Sequence, residues 1–536
     1  MKRYIVPNLV LITFACLLLA AQGAFAANHA TNFINASFEE GLKGWLVKGD
    51  VKLQTAAPME GKASLRIGPG AGSVSQRVRI GSGNHLWVSV AVRSQPTNTA
   101  ILIIRYLDKN GRELMRLDSK GDIKPGDKVK PGTLSFYMKE HPLTSEVEVI
   151  LSKENTGGYI LADQIEFVAS HDKGPEFKPT CDLGQYMQPF WAGKTVYNET
   201  VLMLSENGQP ATGRLMFNPT GILSVKNYAL NTNYSDGVDY TVEGRNLTCT
   251  DSSRMTRVKD ADLMKGELNW NEMIGKPVVV TYEHDDNWTG PVPGYLGDRL
   301  PNTMKKLRAH AALRVVAYGD SITHGVGVSR LMNIPPFMPP YPELFVSRLK
   351  QIYHDDAIHL FNSAQSGATS DWGARMASRM VASLNPDLVI IAFGQNDFWG
   401  TSADAFAINT SNIIQTVRLK NPRAEFLLVS PLRFDPAYTA NAEYWKSVSE
   451  YAAKLKAKAG QGMQFVDMTA ISEAIYAAKK PKDCLNDPLH PNDSLARWYA
   501  QSLVAALDPI SVRPAAIEGK PGVQRNGGRA RNAWLR

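Results

Sequence analysis

The sequence contains little cysteine and, after its first residues, no long apolar run. Its 536 residues include four cysteines, and one of them, Cys16, lies in an apolar segment at the N-terminus. The other three, Cys181, Cys249 and Cys484, allow at most one disulfide and leave one thiol over. A bond between Cys181 and Cys249 is conceivable, but sequence does not decide it. No later apolar run is long enough to span a membrane, so we expect no membrane span in the mature chain.

Several enzyme fingerprints and a strongly charged body are also missing. The zinc-protease, phosphate-loop and dinucleotide-binding motifs are absent, so we expect neither metal nor cofactor. The net charge of +8 comes mainly from the two ends, because Lys2 and Arg3 supply two positive charges and residues 509–536 a net five. The body is therefore nearly neutral, and we expect no nucleic-acid partner. Residues 509–536 have the composition of a disordered basic tail, although contact with anionic polymers of the cell envelope is an alternative.

The N-terminus has the three parts of a secretory signal peptide. Lys2 and Arg3 precede an apolar segment at about residues 5–20, and Ala24-Phe25-Ala26 supplies small residues for cleavage. This order predicts a signal peptide over residues 1–26 and an exported protein, periplasmic or extracellular in a bacterium.

Residues 27–172 have the alternating pattern of a β-sandwich. Alternating runs at 73–78, 87–92, 101–106 and 147–151 are separated by Gly, Pro and Asn turns. The opening run 35–45 and the closing run 162–167 resemble the first and last strands of a galactose-binding-type jelly roll, a fold of many carbohydrate-binding modules. Trp45, Trp87, Tyr106 and Tyr159 could stack on sugar rings, but a core or edge position is the simpler interpretation.

A second β-rich stretch, residues 180–301, is predicted to be an accessory domain. It includes apolar runs typical of strands at 200–204, 215–217, 222–225, 240–242 and 278–282. Residues 285–301, rich in Gly, Pro and Trp, are predicted to connect this stretch to the next domain.

From residue 309 to 508 strands and amphipathic helices alternate. The predicted strands are 313–318, 358–362, 388–393, 426–430 and 464–467, and the predicted helices are 341–353, 372–384, 403–419, 441–458 and 492–507. Five such units predict a three-layer α/β/α sandwich of the flavodoxin-like type. The predicted fold class is thus multidomain, with two all-β domains ahead of an α/β/α domain.

Four polar motifs follow predicted strands of this last region, where the chemistry of parallel sheets is found. The first is Gly319-Asp320-Ser321-Ile322-Thr323, directly after the strand 313–318. The others contain Gly367, Asn396 and His490, and Asp487 lies three residues before that histidine. Singly, each could be turn or capping chemistry, but their joint occurrence in this order favours a site.

These motifs resemble the SGNH (GDSL-type) hydrolase family, named after its Ser, Gly, Asn and His. The resemblance implies that Ser321 is the nucleophile, that His490 is the base and that Asp487 orients it. It also implies an oxyanion hole made by the N–H groups of Ser321 and Gly367 and the side-chain amide of Asn396.

Three nearby residues compete for these roles. His324 lies three residues after Ser321, but a position lining the site or capping the turn is the simpler interpretation. Asp483, seven residues before His490, competes with Asp487, whose tighter spacing favours it. Asp320 is expected to be structural.

The sequence therefore predicts an exported serine esterase that removes acetyl groups from a polysaccharide or oligosaccharide. The catalytic motifs carry the esterase part, and export together with the resemblance to a binding module carries the glycan part. A lipase-like or thioester hydrolase of the same fold is one alternative. A glycan-binding protein with an inert hydrolase domain is another, and an acyltransferase that passes the acyl group to a sugar hydroxyl is a third.

Overall fold

The computed structural model describes residues 33–80, 85–94, 100–118, 132–139, 144–154, 157–170, 179–260, 262, 273–331, 334–435 and 442–509. The predicted signal peptide, residues 1–26, lies outside these ranges, and so does the predicted tail beyond residue 509. No helix in the described ranges combines the length and the apolar character needed to cross a membrane.

The described N-terminal residues form one antiparallel sheet with strands in the order β5-β4-β7-β2-β8-β3-β6, and β1 beside β2. The long strand β2 belongs to two halves of this sheet, because its first part pairs with β8 and its second part with β7. Alternate residues of both halves share one apolar core. The strands are β1 (Leu46–Gln54), β2 (Ser64–Arg79), β3 (His85–Ser94), β4 (Ala100–Leu107), β5 (Glu113–Asp118), β6 (Gly132–Lys139), β7 (Glu146–Lys153) and β8 (Ile160–Ser170).

The next stretch begins with the short helix α1 (Leu183–Tyr186) and continues as two small sheets. One sheet has the order β13-β12-β17-β9 and the other β14-β15-β11-β10-β16. Cys181, Cys249 and Cys484 are all free thiols, so the conceivable disulfide is not formed. The strands are β9 (Thr195–Val201), β10 (Leu204–Ser205), β11 (Thr212–Arg214), β12 (Pro219–Asn227), β13 (Asn233–Tyr234), β14 (Tyr240–Glu243), β15 (Asn246–Cys249), β16 (Val258–Lys259) and β17 (Val278–His284).

Two strands predicted in this stretch differ from the structure. Residues 215–217 are not a strand but an irregular segment with a bend, and the N–H groups of Met216 and Phe217 donate to the side chains of Glu199 and Tyr282. The strand predicted at 200–204 is broken after Val201. At the break, the N–H of Leu202 donates to the side-chain carboxylate of Asp483.

The C-terminal region is an open parallel sheet in the order β19-β18-β20-β21-β22, one of the common orders of doubly wound sheets. Three helices of this region, Pro301–Arg308, Ser321–His324 and Met468–Ala478, were not predicted. The elements are α2 (Pro301–Arg308), β18 (Leu313–Gly319), α3 (Ser321–His324), α4 (Tyr341–Tyr353), β19 (Ile358–Asn362), α5 (Ser370–Met380), β20 (Leu388–Ala392), α6 (Ala403–Lys420), β21 (Glu425–Val429), α7 (Ala442–Ala457), β22 (Met463–Val466), α8 (Met468–Ala478) and α9 (Asp493–Leu507).

Helices cover both faces of this parallel sheet. Successive strand residues point to opposite faces, so Val315 and Ile390 pack with α4, α8 and α9, whereas Val316 and Ile391 pack with α5, α6 and α7. Both faces are apolar, which explains why the strands read as continuous apolar runs. The carboxyl ends of the strands are left for polar side chains.

The middle stretch, from α1 to β17, and the parallel-sheet region, from α2 to α9, share one apolar core. Residues of β9 and β17 pack in the same cluster as α9. The ring of Trp498 on α9 stacks against that of Phe190, with centroids 4.9 Å apart, and also contacts the rings of Trp191 and Trp288. This packing brings β9 against the segment that carries His490.

Candidate active site

The nucleophile candidate lies on a sharp turn between β18 and α3. Asp320 caps the helix, because its carboxylate accepts a hydrogen bond from the N–H of Ile322 at 3.1 Å. The turn needs glycine at 319, since a Cβ there would lie 2.3 Å from the carbonyl oxygen of Ala392 on the neighbouring strand. Ser321 is therefore the first residue of the helix, at the carboxyl end of the sheet.

Ser321, His490 and Asp487 form one chain of hydrogen bonds. Nε2 of His490 lies 2.8 Å from Oγ of Ser321, and Nδ1 lies 2.6 Å from Oδ2 of Asp487. The other carboxylate oxygen of Asp487 accepts from the N–H groups of Leu489 and His490 at 2.7 and 2.8 Å. Since both oxygens of Asp487 are engaged, the carboxylate is held in one orientation and fixes the imidazole.

Burial and the paired charge have opposite effects on this histidine. His490 is 2% exposed. Burial by itself lowers the pKa of His490, but the charge and the hydrogen bond of Asp487 outweigh it, and the pKa is raised above its ordinary value. Burial likewise raises the pKa of Asp487, yet the interactions with His490 bring it below its usual range. The site therefore favours an ionised aspartate beside a histidine that readily accepts a proton.

The proposed oxyanion donors belong to neighbouring loops. Gly367 has a φ of +76° and open space where a Cβ would be. Its neighbours fix the loop, because Oγ of Ser366 is 2.9 Å from Nδ1 of His324 and the carbonyl of Ala368 accepts from Nδ2 of Asn396 at 3.0 Å. One N–H of the Asn396 amide is thus used to orient it, which leaves the second N–H as a possible donor.

The main-chain donors are also available. In the ranges that the structure describes, the N–H groups of Ser321 and Gly367 have no acceptor in the protein. Ser321 occupies the first position of α3, where the N–H has no partner within the helix. Such a group is suited to bind an oxygen that becomes negative.

Two buried carboxyls support the loops without touching Ser321. Asp397 follows Asn396, and its carboxylate accepts from the N–H and the hydroxyl of Ser370 at the start of α5. Burial raises the pKa of Asp397 in spite of these hydrogen bonds. Burial also raises the pKa of Asp320 to about 7. Sequence predicted a structural role for Asp320, and it offered helix capping as the alternative interpretation of Asn396-Asp397.

The competing residues have other partners. Nδ1 of His324 contacts Ser366, and it is His490 whose ring lies against Ser321. Oδ1 of Asp483 accepts from the N–H of Leu202 at 2.6 Å. The structure thus brings together Ser321, His490 and Asp487, and it gives Asp483 a contact with the middle stretch.

A small cavity lies beside the turn that carries Ser321. It is lined by Asp320, Ile322, Thr323 and Gln395 among others, and its volume is about 10 Å³. This is the size of one water molecule, and Ser321 is not among the residues that line the cavity. Within the residues that can be described, no His, Cys, Asp and Glu side chains are grouped so that three could hold a metal ion.

The aromatic residues considered for sugar stacking are mostly inaccessible. Trp45 and Tyr106 are buried in the core of the N-terminal sheet. The ring of Tyr159 lies 4.1 Å beneath the guanidinium of Arg66. The side chain of Trp87 lies outside the described part of the structure.

Comparison with known families covers the part of the chain that holds these motifs. Residues 317–498 match the sequence model of the GDSL-like Lipase/Acylhydrolase family. This part of the chain is therefore a GDSL-like (SGNH) domain, as the motifs predicted. An arylesterase of Vibrio mimicus is 23% identical over 199 residues, which are 37% of this chain and 90% of that protein. These matches support a hydrolase acting on esters.

Solved structures with similar parts include further esterases. An acetylxylan esterase from Geobacillus stearothermophilus is 19% identical, with 38% of this chain and 96% of that chain covered and a TM-score of 0.32. A two-domain esterase active on acetylated mannans is 21% identical, with 43% and 59% covered and the same TM-score. For the N-terminal part, the module TmCBM61, solved with galactotriose, is 16% identical, with 26% and 99% covered and a TM-score of 0.21. Similarity at this level identifies no substrate.

Proposed function

We propose that this protein is an exported serine esterase that removes acetyl groups from a polysaccharide through an acyl-serine intermediate. The observation that carries the proposal is the hydrogen-bond chain from Asp487 through His490 to Ser321, within a GDSL-like domain. A nucleophile, a base and a group that orients the base are the parts that acyl transfer needs.

In the first half-reaction Oγ of Ser321 attacks the acyl carbon and its proton passes to Nε2 of His490. The oxygen that becomes negative is stabilised by the N–H groups of Ser321 and Gly367 and by the amide of Asn396. The tetrahedral intermediate then collapses. His490 gives its proton to the oxygen of the departing sugar hydroxyl, and the acyl group stays on Ser321.

In the second half-reaction water replaces the sugar. His490 takes a proton from the water as it attacks the acyl-serine carbonyl, and the same three donors bind the oxyanion. Collapse returns the proton to Oγ of Ser321 and releases acetate. Asp487 stabilises the imidazolium at each step and keeps its own charge.

The glycan part of the proposal is supported by the signal-like N-terminus and by the β-rich N-terminal region, which resembles carbohydrate-binding modules.

The test is acetate release by the mature protein from acetylated xylan, glucomannan, xyloglucan, pectin and peptidoglycan, beside p-nitrophenyl esters of increasing chain length. We expect release from one of the glycans and the highest kcat/KM for the acetyl ester. Ser321→Ala should lower kcat by at least about 10⁴-fold with an unchanged fold, because the nucleophile is lost.

Two outcomes would contradict the proposal in different ways. Hydrolysis of long-chain esters with no release from any glycan would replace it with a lipase-like function. Full activity in Ser321→Ala, with wild-type circular dichroism, would remove Ser321 from the mechanism. Recovery of transferred acetyl on an added sugar in place of free acetate would indicate an acyltransferase.

A further inference from the structure

The residues that carry Asp487 and His490 form a loop between α8 and α9, which we call the histidine loop (residues 479–492). It starts with the buried side chain of Lys479, which is 4% exposed. Nζ of Lys479 donates to Oε1 of Glu199 at 2.5 Å and to the carbonyl of Thr200 at 2.6 Å. Both partners lie on β9, about 280 residues earlier in the chain.

The partner carboxylate is itself fully engaged on the middle stretch. Glu199 is 2% exposed, and its two oxygens accept from the N–H of Met216 at 2.8 Å and from the hydroxyl of Tyr282 at 2.5 Å. A buried ion pair whose remaining hydrogen-bonding sites are satisfied has one favourable geometry. The start of the histidine loop is therefore fixed by the β9 side of the molecule.

Thr200 contacts the loop at both of its ends. Its hydroxyl donates to the carbonyl of Asp483 at 2.6 Å and accepts from Nδ2 of Asn492 at 3.1 Å. The same Nδ2 donates to the carbonyl of Asp483 at 2.8 Å. Oδ1 of Asp483 accepts from the N–H of Leu202, just past the end of β9. All of these groups are buried.

The contacts of Thr200 extend to Asn492, two residues from the catalytic histidine. Asn492 caps α9 and lies two positions after His490. Its N–H donates to the carbonyl of Cys484 at 2.9 Å, and the N–H of Asn486 donates to the carbonyl of His490 at 3.0 Å. The loop is thus a closed hairpin whose base is held by Thr200, so a shift of that base moves the imidazole.

We infer that β9 is a positioning element of the catalytic site, and that Thr200 is the residue through which it sets the distance from Nε2 of His490 to Oγ of Ser321. The inference rests on the proposed function, since it concerns the same Ser321 and His490. Thr200 does not touch the reacting atoms. Asp487 and His490 share the loop, so loss of the Thr200 contacts moves them together relative to Ser321.

The test compares Thr200→Val with Thr200→Ser in the full-length mature protein, with p-nitrophenyl acetate as substrate. Valine has nearly the shape of threonine but can neither donate to Asp483 nor accept from Asn492, whereas serine does both. We expect Thr200→Val to lower kcat about 10- to 100-fold with KM within about twofold of wild type, because misplaced catalytic groups cost rate more than binding. Thr200→Ser should keep the wild-type kcat.

Partial unfolding is separated from mispositioning by counting active sites. A fluorophosphonate probe reacts with the serine and loses fluoride, so the phosphonylated fraction gives the number of assembled sites. In Thr200→Val we expect an unchanged fraction and a lower kcat per titrated site. In the pH profile of kcat/KM, the midpoint of the acid limb should be that of wild type, since Asp487 stays beside His490. Each variant is assayed well below its unfolding temperature.

Two further variants complete the test. Asn492→Ser keeps the cap of α9 but removes the Nδ2 donors, and we expect the same loss of kcat. Thr410→Val is the matched control, because Thr410 is a buried threonine of α6 whose hydroxyl donates to the carbonyl of Phe406 in the same helix at 2.9 Å and contacts neither β9 nor the histidine loop. We expect its kcat to equal that of wild type.

Unchanged kcat in both Thr200→Val and Asn492→Ser would overturn the inference while leaving the proposed function intact. So would a loss of kcat in Thr410→Val as large as that in Thr200→Val. By contrast, a wild-type protein that does not hydrolyse the ester, or a fully active Ser321→Ala, would refute the proposed function itself.

Discussion

At the scale of single residues, we expect the protonation of His490 to determine the pH range of the proposed reaction. The base must be neutral to accept the proton of Ser321, so activity rises as pH increases through the pKa of His490. Asp487 holds this pKa above the ordinary 6.5, although burial acts the other way. The proposed mechanism should therefore operate best at a pH above the raised pKa of His490.

We expect kcat/KM for p-nitrophenyl acetate to rise with pH around a midpoint above 6.5. Asp487→Asn removes the charge that raises the pKa, so the midpoint should move to lower pH, and kcat should fall by roughly 10³- to 10⁴-fold. Asp404→Asn, which removes an exposed carboxylate paired with Lys454, is the control and should change neither value. A midpoint that stays in place in Asp487→Asn would mean that another group controls it.

The residues that sequence identified are those with a local signal. Ser321 and His490 are recognisable because each lies in a short motif near the end of a strand or before a helix, and the parallel sheet brings such ends together. Thr200, Glu199 and Lys479 have no such signal. Their contacts join positions about 280 residues apart, and buried polar residues in a strand look like any others until the fold is known.

At the scale of elements, the loop after α3 has little room beside the histidine loop. Gly327 has a φ of +94°, and a Cβ there would lie 2.6 Å from the carbonyl oxygen of Pro491 and 3.1 Å from Cβ of His490. Its own carbonyl accepts from the side chain of Asn486. The two loops therefore fit only with glycine at this position.

We expect Gly327→Ala to push the histidine loop outward, lowering kcat and the free energy of unfolding, the latter by about 1–3 kcal/mol. Gly208→Ala is the control, since Gly208 also has a positive φ of +74° but no atom near its added Cβ. It should cost only about 1 kcal/mol and leave kcat unchanged. Chemical denaturation and steady-state kinetics measure both. Equal kcat in the two variants would contradict the predicted clash.

Helices and strands were predictable where the spacing of apolar residues and the capping residues indicate the same bounds. The five parallel strands and the helix Tyr341–Tyr353 lie within a residue of their predicted bounds. Helix α8 was missed although Asp467 caps it and Ile471 and Ile475 are spaced for one face. Residues 215–217 were wrongly predicted as a strand, because apolar character alone cannot show that Glu199 and Tyr282 take up their N–H groups.

At the scale of the whole molecule, the middle stretch and the GDSL-like region pack against each other around Trp498. The indole packs against Phe190, Trp191 and Trp288, and the fully buried guanidinium of Arg497 donates to the carbonyls of Tyr197 and Asn198 at 2.7 Å. These contacts cross the boundary between the two predicted domains.

We expect a fragment of residues 309–508 to aggregate or to unfold without a cooperative transition, because it exposes the apolar face around Trp498. A fragment of residues 179–509 retains that cover and should melt cooperatively with near wild-type kcat. Solubility and thermal unfolding followed by circular dichroism compare the two. A shorter fragment with the same unfolding temperature and kcat as the longer one would show that the two regions are independent.

The separation of 283 residues between Thr200 and Asp483 also has a consequence for biosynthesis. At about 5–20 residues per second, β9 leaves the ribosome tens of seconds before the histidine loop that it holds. During that interval Thr200 lacks its partners in the histidine loop, and Ser321, once made, has no base. On the proposed mechanism, we therefore expect hydrolytic competence to be acquired late, when the last helix docks, and a chain cut short before residue 490 to be inactive.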